Sequence, residues 1–292
     1  MKSGFVNIVG NPNVGKSTLM NLLVGERISV ATFKAQTTRH RIMGILNEPD
    51  AQIVFSDTPG VLKPNYKLQE SMLRFSENAL TDADILLYVT DVLEKPDKNS
   101  EFLAKVRNLQ IPLMLVLNKI DKTNQAGLET LVQTWQQLLP NSEIHPVSAL
   151  NKFGVDVLLH RIRKLLPEAP PYFDQDQLTD KPARFFVTEI MREKILLYYD
   201  KEIPYAVEAV VERFKETEKS IDIDVVIYVE RDSQKGIIIG HGGRTLKKVA
   251  TEARLSLERF FDKRIMLRTY VKVDKDWRSS DRSLQRFGYT PS

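Results

Sequence analysis

Apolar residues in the first 166 positions fall in short, nearly unbroken runs separated by stretches of helical spacing. FVNIVG (Phe5–Gly10), AQIVFSD (Ala51–Asp57), DILLYVTD (Asp84–Asp91), PLMLVLNKID (Pro112–Asp121) and EIHPVSA (Glu143–Ala149) are almost continuously apolar. Extended chain with that pattern buries both faces, as strands of a parallel sheet do. Arg41–Leu46 reads as a further strand. Gln125–Leu139 and Val155–Leu166 instead predict amphipathic helices. The alternation predicts an α/β domain with a doubly wound, mostly parallel sheet, its ligand loops at the carboxyl ends of the strands.

The pattern lapses over Leu166–Pro182 (LPEAPPYFDQDQLTDKP), where prolines and acidic residues leave no period, and the stretch reads as a connection between domains. Beyond it Phe185–Tyr199 has helical spacing, and Tyr205–Phe214 and Ile221–Glu230 read as strands. The second strand sets Ile221, Ile223, Val225, Ile227 and Val229 on one face. A glycine loop, a helix over Arg244–Phe261 and a strand over Arg264–Val273 follow. The α-β-β-α-β order predicts a small α+β domain. The division is residues 1–168, a linker at 169–181, a second domain at 182–278, and a tail at 279–292 to which the sequence assigns nothing.

A length of 292 residues agrees with two unequal domains. The absence of cysteine removes disulfides, thiolate catalysis and Cys-ligated zinc, and fits a reducing cytosol. His40, His145, His160 and His241 lack metal-ligand spacing. The start, MKSGFVNIVGN, does not read as a signal peptide, and no apolar run approaches the roughly 18 residues of a membrane span. Net charge is +4, but Gly236–Ser292 holds 13 Lys and Arg against 6 Asp and Glu, leaving the rest slightly acidic. This asymmetry points to a polyanionic partner for the last fifth of the chain.

Candidate chemistry begins where the first strand ends. Gly10-Asn11-Pro12-Asn13-Val14-Gly15-Lys16-Ser17-Thr18 matches G-x-x-x-x-G-K-[ST] between a strand and a helix. In such a loop the backbone wraps phosphates, Lys16 reaches the β- and γ-phosphates, and the Ser17 hydroxyl ligates Mg²⁺. Asp57-Thr58-Pro59-Gly60 ends another strand; there Asp57 supports the Mg²⁺ shell and the Gly60 N–H faces the γ-phosphate. Asn118-Lys119-Ile120-Asp121 ends a third. The Asp121 carboxylate can accept paired hydrogen bonds from guanine, whereas adenine offers no such donors, so GTP and GDP are expected over adenine nucleotides. Asn118 is expected on the N7/O6 side of the base, the Lys119 stem along the ring, and Ser148-Ala149-Leu150 is expected to give a backbone N–H to O6.

Four loops in this order resemble the Ras-like translation-factor class of GTPases. By that resemblance the switch is Gln36-Thr37-Thr38-Arg39-His40, with Thr38 the Mg²⁺-binding threonine and Thr37 the alternative. Val61 departs from the small GTPases that carry a water-orienting glutamine after this glycine, so intrinsic hydrolysis is expected to be slow. Asn13 matches a position that helps bind K⁺ in some relatives, which implies stimulation by K⁺. The catalytic set expected is thus Lys16, Thr38, Gly60 and Asn13.

The second glycine loop, Ile239-Gly240-His241-Gly242-Gly243, has no Lys-Ser/Thr pair after it and no further nucleotide motifs in its domain. The helix behind it is two-faced, with Leu246, Val249, Ala250, Ala253, Leu257 and Phe260 on one side. Arg244, Lys247, Lys248, Thr251 and Arg254 lie on the other. Such a GxxG loop is how KH modules let about four single-stranded nucleotides approach closely, and the element order resembles their prokaryotic type II form. His241, where lysine or arginine is more usual, weakens the attraction for phosphate, and Arg244 and Lys247 can compensate.

One G domain followed by one KH domain, with Trp277-Arg278 near the end, closely resembles the Era family of bacterial GTPases over nearly the whole chain. The resemblance implies a monomeric GTPase that binds the 3′ end of 16S rRNA and assists assembly of the small (30S) ribosomal subunit. It also implies a cytoplasmic protein with a peripheral pool on the inner membrane. Two other readings stay open on the residues alone: a GTP-gated RNA-binding module with negligible turnover, suggested by Val61, and a membrane or cell-cycle signalling GTPase whose basic domain meets anionic lipid.

Overall fold

A computed structural model describes residues 1–96 and 98–289. They form two compact units, Met1–Pro64 with Gln69–Asp180, and Asn65–Leu68 with Lys181–Ser292. The first contains β1 (Lys2–Gly10), α1 (Lys16–Val24), β2 (Ile42–Asn47), β3 (Ala51–Asp57), most of α2 (Lys67–Asn78), β4 (Ile85–Asp91), α3 (Ser100–Arg107), β5 (Leu113–Asn118), α4 (Gln125–Leu138), β6 (Glu143–Pro146) and α5 (Val155–Leu165). The strands order as β2-β3-β1-β4-β5-β6, parallel except for β2 against β3. Every residue of β3, β4 and β5 is buried, which is why these runs are apolar at successive positions. Register brings Gly10 beside Val89 and Asp91 beside Asn118, so the loops leaving β1, β3, β4 and β5 share one edge of the sheet.

The segment read as a linker is laid along β2. The Ile45 N–H donates to the Leu178 carbonyl at 2.9 Å, Thr179 Oγ1 donates to the Met43 carbonyl at 2.6 Å, and the Met43 N–H donates to Asp180 Oδ1 at 2.9 Å. Gln52 Nε2 donates to the Phe173 carbonyl at 2.8 Å. An edge strand leaves backbone groups unpaired, and this strap satisfies part of β2. Residues 169–180 therefore belong to the first unit.

The second unit contains α6 (Ala183–Tyr198), β7 (Glu208–Glu216), β8 (Ser220–Val229), α7 (Asp232–Ile239), α8 (Arg244–Phe261), β9 (Arg264–Val273) and α9 (Asp281–Arg286). Its sheet orders β7-β8-β9, the first pair antiparallel and the second parallel. Ile221, Ile223, Val225, Ile227 and Val229 are completely buried against Val187, Met191 and Ile195 of α6 and Val249, Ala253 and Leu257 of α8. Each such side chain contributes about 1.5–3 kcal/mol of transfer free energy.

The sequence reading lacked α7, so the observed order is α-β-β-α-α-β. Gln234 Oε1 accepts the backbone N–H groups of Glu230 and Arg231 at 2.9 and 3.2 Å and closes the first turn of α7. Ile237 is exposed and Ile238 fully buried, so the isoleucine run turns from solvent to core within the helix.

The tail is also part of this unit. Trp277 Nε1 donates to the Ala206 carbonyl at 2.9 Å, the Tyr289 hydroxyl donates to Glu208 Oε2 at 2.5 Å, and the two rings stack at 6.4 Å, both fully buried. Positions 290–292 of the expected tail lie outside the described residues.

Candidate nucleotide and nucleic-acid sites

β1 ends on Gly10 and α1 begins on Lys16, so the intervening loop offers its backbone N–H groups beside a helix N-terminus. Gly15 has φ 96°, and a Cβ there would come within 2.3 Å of Asn118 Nδ2; only glycine fits that approach. Lys16 Nζ donates to the carbonyls of Gly10 and Asn11 at 3.0 and 2.8 Å. Burial lowers its pKa to about 8, against the raising effect of Asp57 and Glu94. An anionic phosphate beside it would favour the charged form.

Three oxygen groups converge at the start of α1. Ser17 Oγ donates to Asp57 Oδ2 at 2.6 Å and lies 3.0 Å from Thr38 Oγ1, which is 3.4 Å from Asp57 Oδ2. Burial raises the Asp57 pKa, opposed by Lys16 and by hydrogen bonds from Ser17, Ser29 and Thr38. Asp57 Oδ1 is buried and makes no hydrogen bond, which leaves an acceptor for a metal-bound water. Hard oxygen donors with an acceptor to spare fit Mg²⁺, and Ser17, Thr38 and Asp57 are the residues that would hold it. Thr37 is engaged elsewhere, 2.6 Å from Thr32 Oγ1 and 2.7 Å from the Lys34 carbonyl. Gln36 has a positive φ of 56°, and Thr37, Thr38 and Arg39 are buried; the His40 ring lies 6.2 Å from that of Phe75.

In the Asp57–Gly60 loop, Thr58 Oγ1 donates to the Ile8 carbonyl at 2.8 Å and the Pro59 carbonyl accepts from Ser76 Oγ at 2.8 Å. The Val61 side chain is buried in the core among Val9, Leu80 and Tyr88.

At the guanine end the Asn118 amide makes three hydrogen bonds within the protein. Its Nδ2 donates to the Val14 carbonyl at 2.8 Å and its Oδ1 accepts from the N–H groups of Lys119 and Ala149 at 2.8 and 3.0 Å. Both ends of the amide therefore tie three loops together, with the Ala149 N–H engaged in this tie. Lys119 Nζ is 2.6 Å from the Asn13 carbonyl and 2.5 Å from Asp91, which stretches its stem across the site. Asp121 accepts from Ser148 Oγ at 2.6 Å, and that hydrogen bond holds its pKa below the usual value. Leu150 is exposed at the rim.

Sequence reasoning missed two residues at this edge of the sheet. Ser29 Oγ donates to Asp57 Oδ2 at 2.7 Å, and Asn99 bonds to Asn11 and Val61. Neither lies in a motif with fixed spacing.

In the second unit α7 and α8 meet at the other glycine loop. Gly242 and Gly243 have φ of 58° and 74°, and a Cβ on either would meet nothing within 4 Å. Open space over two glycines admits a close backbone approach. His241, Arg244, Lys247 and Lys248 are exposed and Ile239 is half-buried. A groove of about 360 Å³ runs between α8 and β9, with Leu246, Ala250 and Leu267 as apolar lining and Lys247, Thr251, Arg254 and Thr269 as polar lining.

Residues 5–119 match the family model described as 50S ribosome-binding GTPase, and residues 202–278 match the KH domain. The chain is 42% identical to the GTPase Era of Staphylococcus haemolyticus over 290 residues, 99% of this chain and 97% of that protein. The chain belongs to the Era family. It is also similar, over all of both chains, to two solved Era structures: a point variant from Aquifex aeolicus bound to GDP·AlF4⁻, at 36% identity and a TM-score of 0.95, and an Era bound to MgGDPNP and nucleotides 1506–1542 of 16S ribosomal RNA, at 37% and 0.95. The Era fold thus covers both units. No helix among the described residues is long and apolar enough to cross a membrane.

Proposed function

We propose that this protein is a GTPase that uses Mg²⁺, binds the 3′ end of 16S rRNA through its KH unit, and assists assembly of the 30S subunit. The observation that carries it is the pairing, in one Era-family chain, of a Ser17–Thr38–Asp57 cluster with a glycine loop open on both Gly242 and Gly243. Lys16, Ser17, Thr38 and Asp57 hold the triphosphate and metal, Gly60 reads the terminal phosphate, and Asp121 reads guanine. The metal supplies charge neutralisation between the phosphates. Arg244, Lys247 and Lys248 attract the RNA backbone, and the loop Ile239–Gly243 lets it approach.

The test is to load the protein with a non-hydrolysable GTP analogue or with GDP, recover RNA from a bacterial extract and sequence it. Enrichment of the 16S 3′ end with the analogue over GDP is expected; RNA equal in both states removes the switch, and none in either removes the RNA reading. Asn13, with φ of 66° in the phosphate loop, is proposed to assist K⁺ binding, so GTP hydrolysis in KCl should exceed that in NaCl by about tenfold. Equal rates end that proposal. A peripheral pool on the inner membrane is proposed from the basic charge of Gly236–Ser292, with flotation on anionic against neutral vesicles as its check.

A further inference from the structure

Asn99 stands immediately before α3, where an asparagine side chain ordinarily accepts a hydrogen bond from the first helical turn. It makes no such bond. Its Nδ2 donates instead to Oδ1 of Asn11 and to the carbonyl of Val61, the latter at 3.0 Å. Asn11 belongs to the phosphate loop, and Val61 follows the glycine assigned to the terminal phosphate. One amide group therefore joins the two loops that face that phosphate. Val61 is fixed on its other sides as well: its N–H donates to the Gly10 carbonyl at 3.0 Å and its side chain is in the core. Gly60 lies so near Pro12 that a Cβ would come 2.6 Å from Pro12 Cα.

We propose that Asn99 is a positioning residue for GTP hydrolysis, clamping the Val61–Leu62 peptide, just after Gly60, to Asn11. The proposal rests on the GTPase reading above. The task requires two N–H donors on one nitrogen, which an amide has and serine or aspartate lacks. Without the clamp the Val61–Leu62 peptide loses this tie, and the chain that follows Gly60 is less firmly preorganised for the terminal phosphate. Contacts to a diphosphate through Lys16 and Ser17 are left in place, so the effect belongs to hydrolysis and not to GDP affinity.

Asn99→Ser and Asn99→Asp decide the matter, because both side chains can cap α3 and neither can clamp. In the full chain with Mg²⁺, single-turnover GTP hydrolysis should fall about tenfold in each. GDP affinity should stay within about twofold, and the melting temperature should hold or rise as the freed cap position is used. A capping role predicts the opposite, parent-like hydrolysis in both variants, and that result overturns the proposal. Loss of GDP affinity in step with the rate also overturns it, by making Asn99 a support of the phosphate loop in general. A parent protein that binds no GDP and hydrolyses no GTP would remove the function and this inference together.

Discussion

The hydroxyls of Ser17 and Thr38, 21 residues apart in the chain, lie 3.0 Å from each other over the carboxylate of Asp57. Thr37 bonds away from them, to Thr32 and the Lys34 carbonyl. Thr38→Ala should therefore lower GTP hydrolysis about 100-fold with GDP affinity little changed, the pattern of a contact made with the triphosphate and its metal. Thr37→Ala should leave the rate within about threefold. Single-turnover hydrolysis of the two variants checks the assignment, and the reverse ranking would make Thr37 the switch residue.

Asp121→Asn replaces an acceptor with a donor at the position assigned to guanine. GTP affinity should fall by about 10–100-fold, since a base donor is left facing a donor, and XTP affinity should rise. Competition binding of the two nucleotides reads this directly; unchanged GTP affinity would contradict the role of Asp121.

Val61 stands where many GTPases carry glutamine, and its side chain is 3% exposed in the core. Val61→Gln should not speed hydrolysis. It should instead bury an amide among Val9, Leu80 and Tyr88 and lower stability by about 1–3 kcal/mol. Urea unfolding alongside phosphate release tests both halves, and a faster variant would mean the new side chain reaches the nucleotide.

His241→Lys adds a cation to an exposed loop whose neighbours Gly242 and Gly243 are open to solvent-sized approach. RNA affinity should rise several-fold at low salt, and the slope of log affinity against log salt should steepen by about 1. A salt titration of 16S 3′-end RNA binding measures both, and an unaltered slope would put position 241 outside the phosphate contacts.

Much of this was legible from residue pattern. β3, β4 and β5 are buried on both faces, and burial on both faces leaves an unbroken apolar run that any reader of the chain can find. The same holds for β8, whose alternation reports one buried face. Helix α7 was not legible, because its eight residues end in an isoleucine run that carries no helical period. The strap over residues 173–180 binds through the Leu178 carbonyl and the Thr179 and Asp180 side chains to partners on β2 more than 130 residues back, and such contacts leave no period to read. Asn118 stands out in the sequence at the end of an apolar run, but its partners Val14 and Ala149 are 104 and 31 residues away, and only folding brings them together. Ser29 and Asn99 act by the same long-range approach, with no spacing rule to announce them.

The burial of Tyr289 and Trp277 against Glu208 and Ala206 has a consequence for synthesis. The first unit has all its strands and its strap once residue 180 has been made, so it can fold while translation continues. The second needs β9 beside β8, and then the two rings 71 and 81 residues downstream of their partners. On the proposed function, a nascent chain thus has its nucleotide-site residues assembled well before its KH unit is sealed, so GTP can reach it before a completed surface for RNA exists.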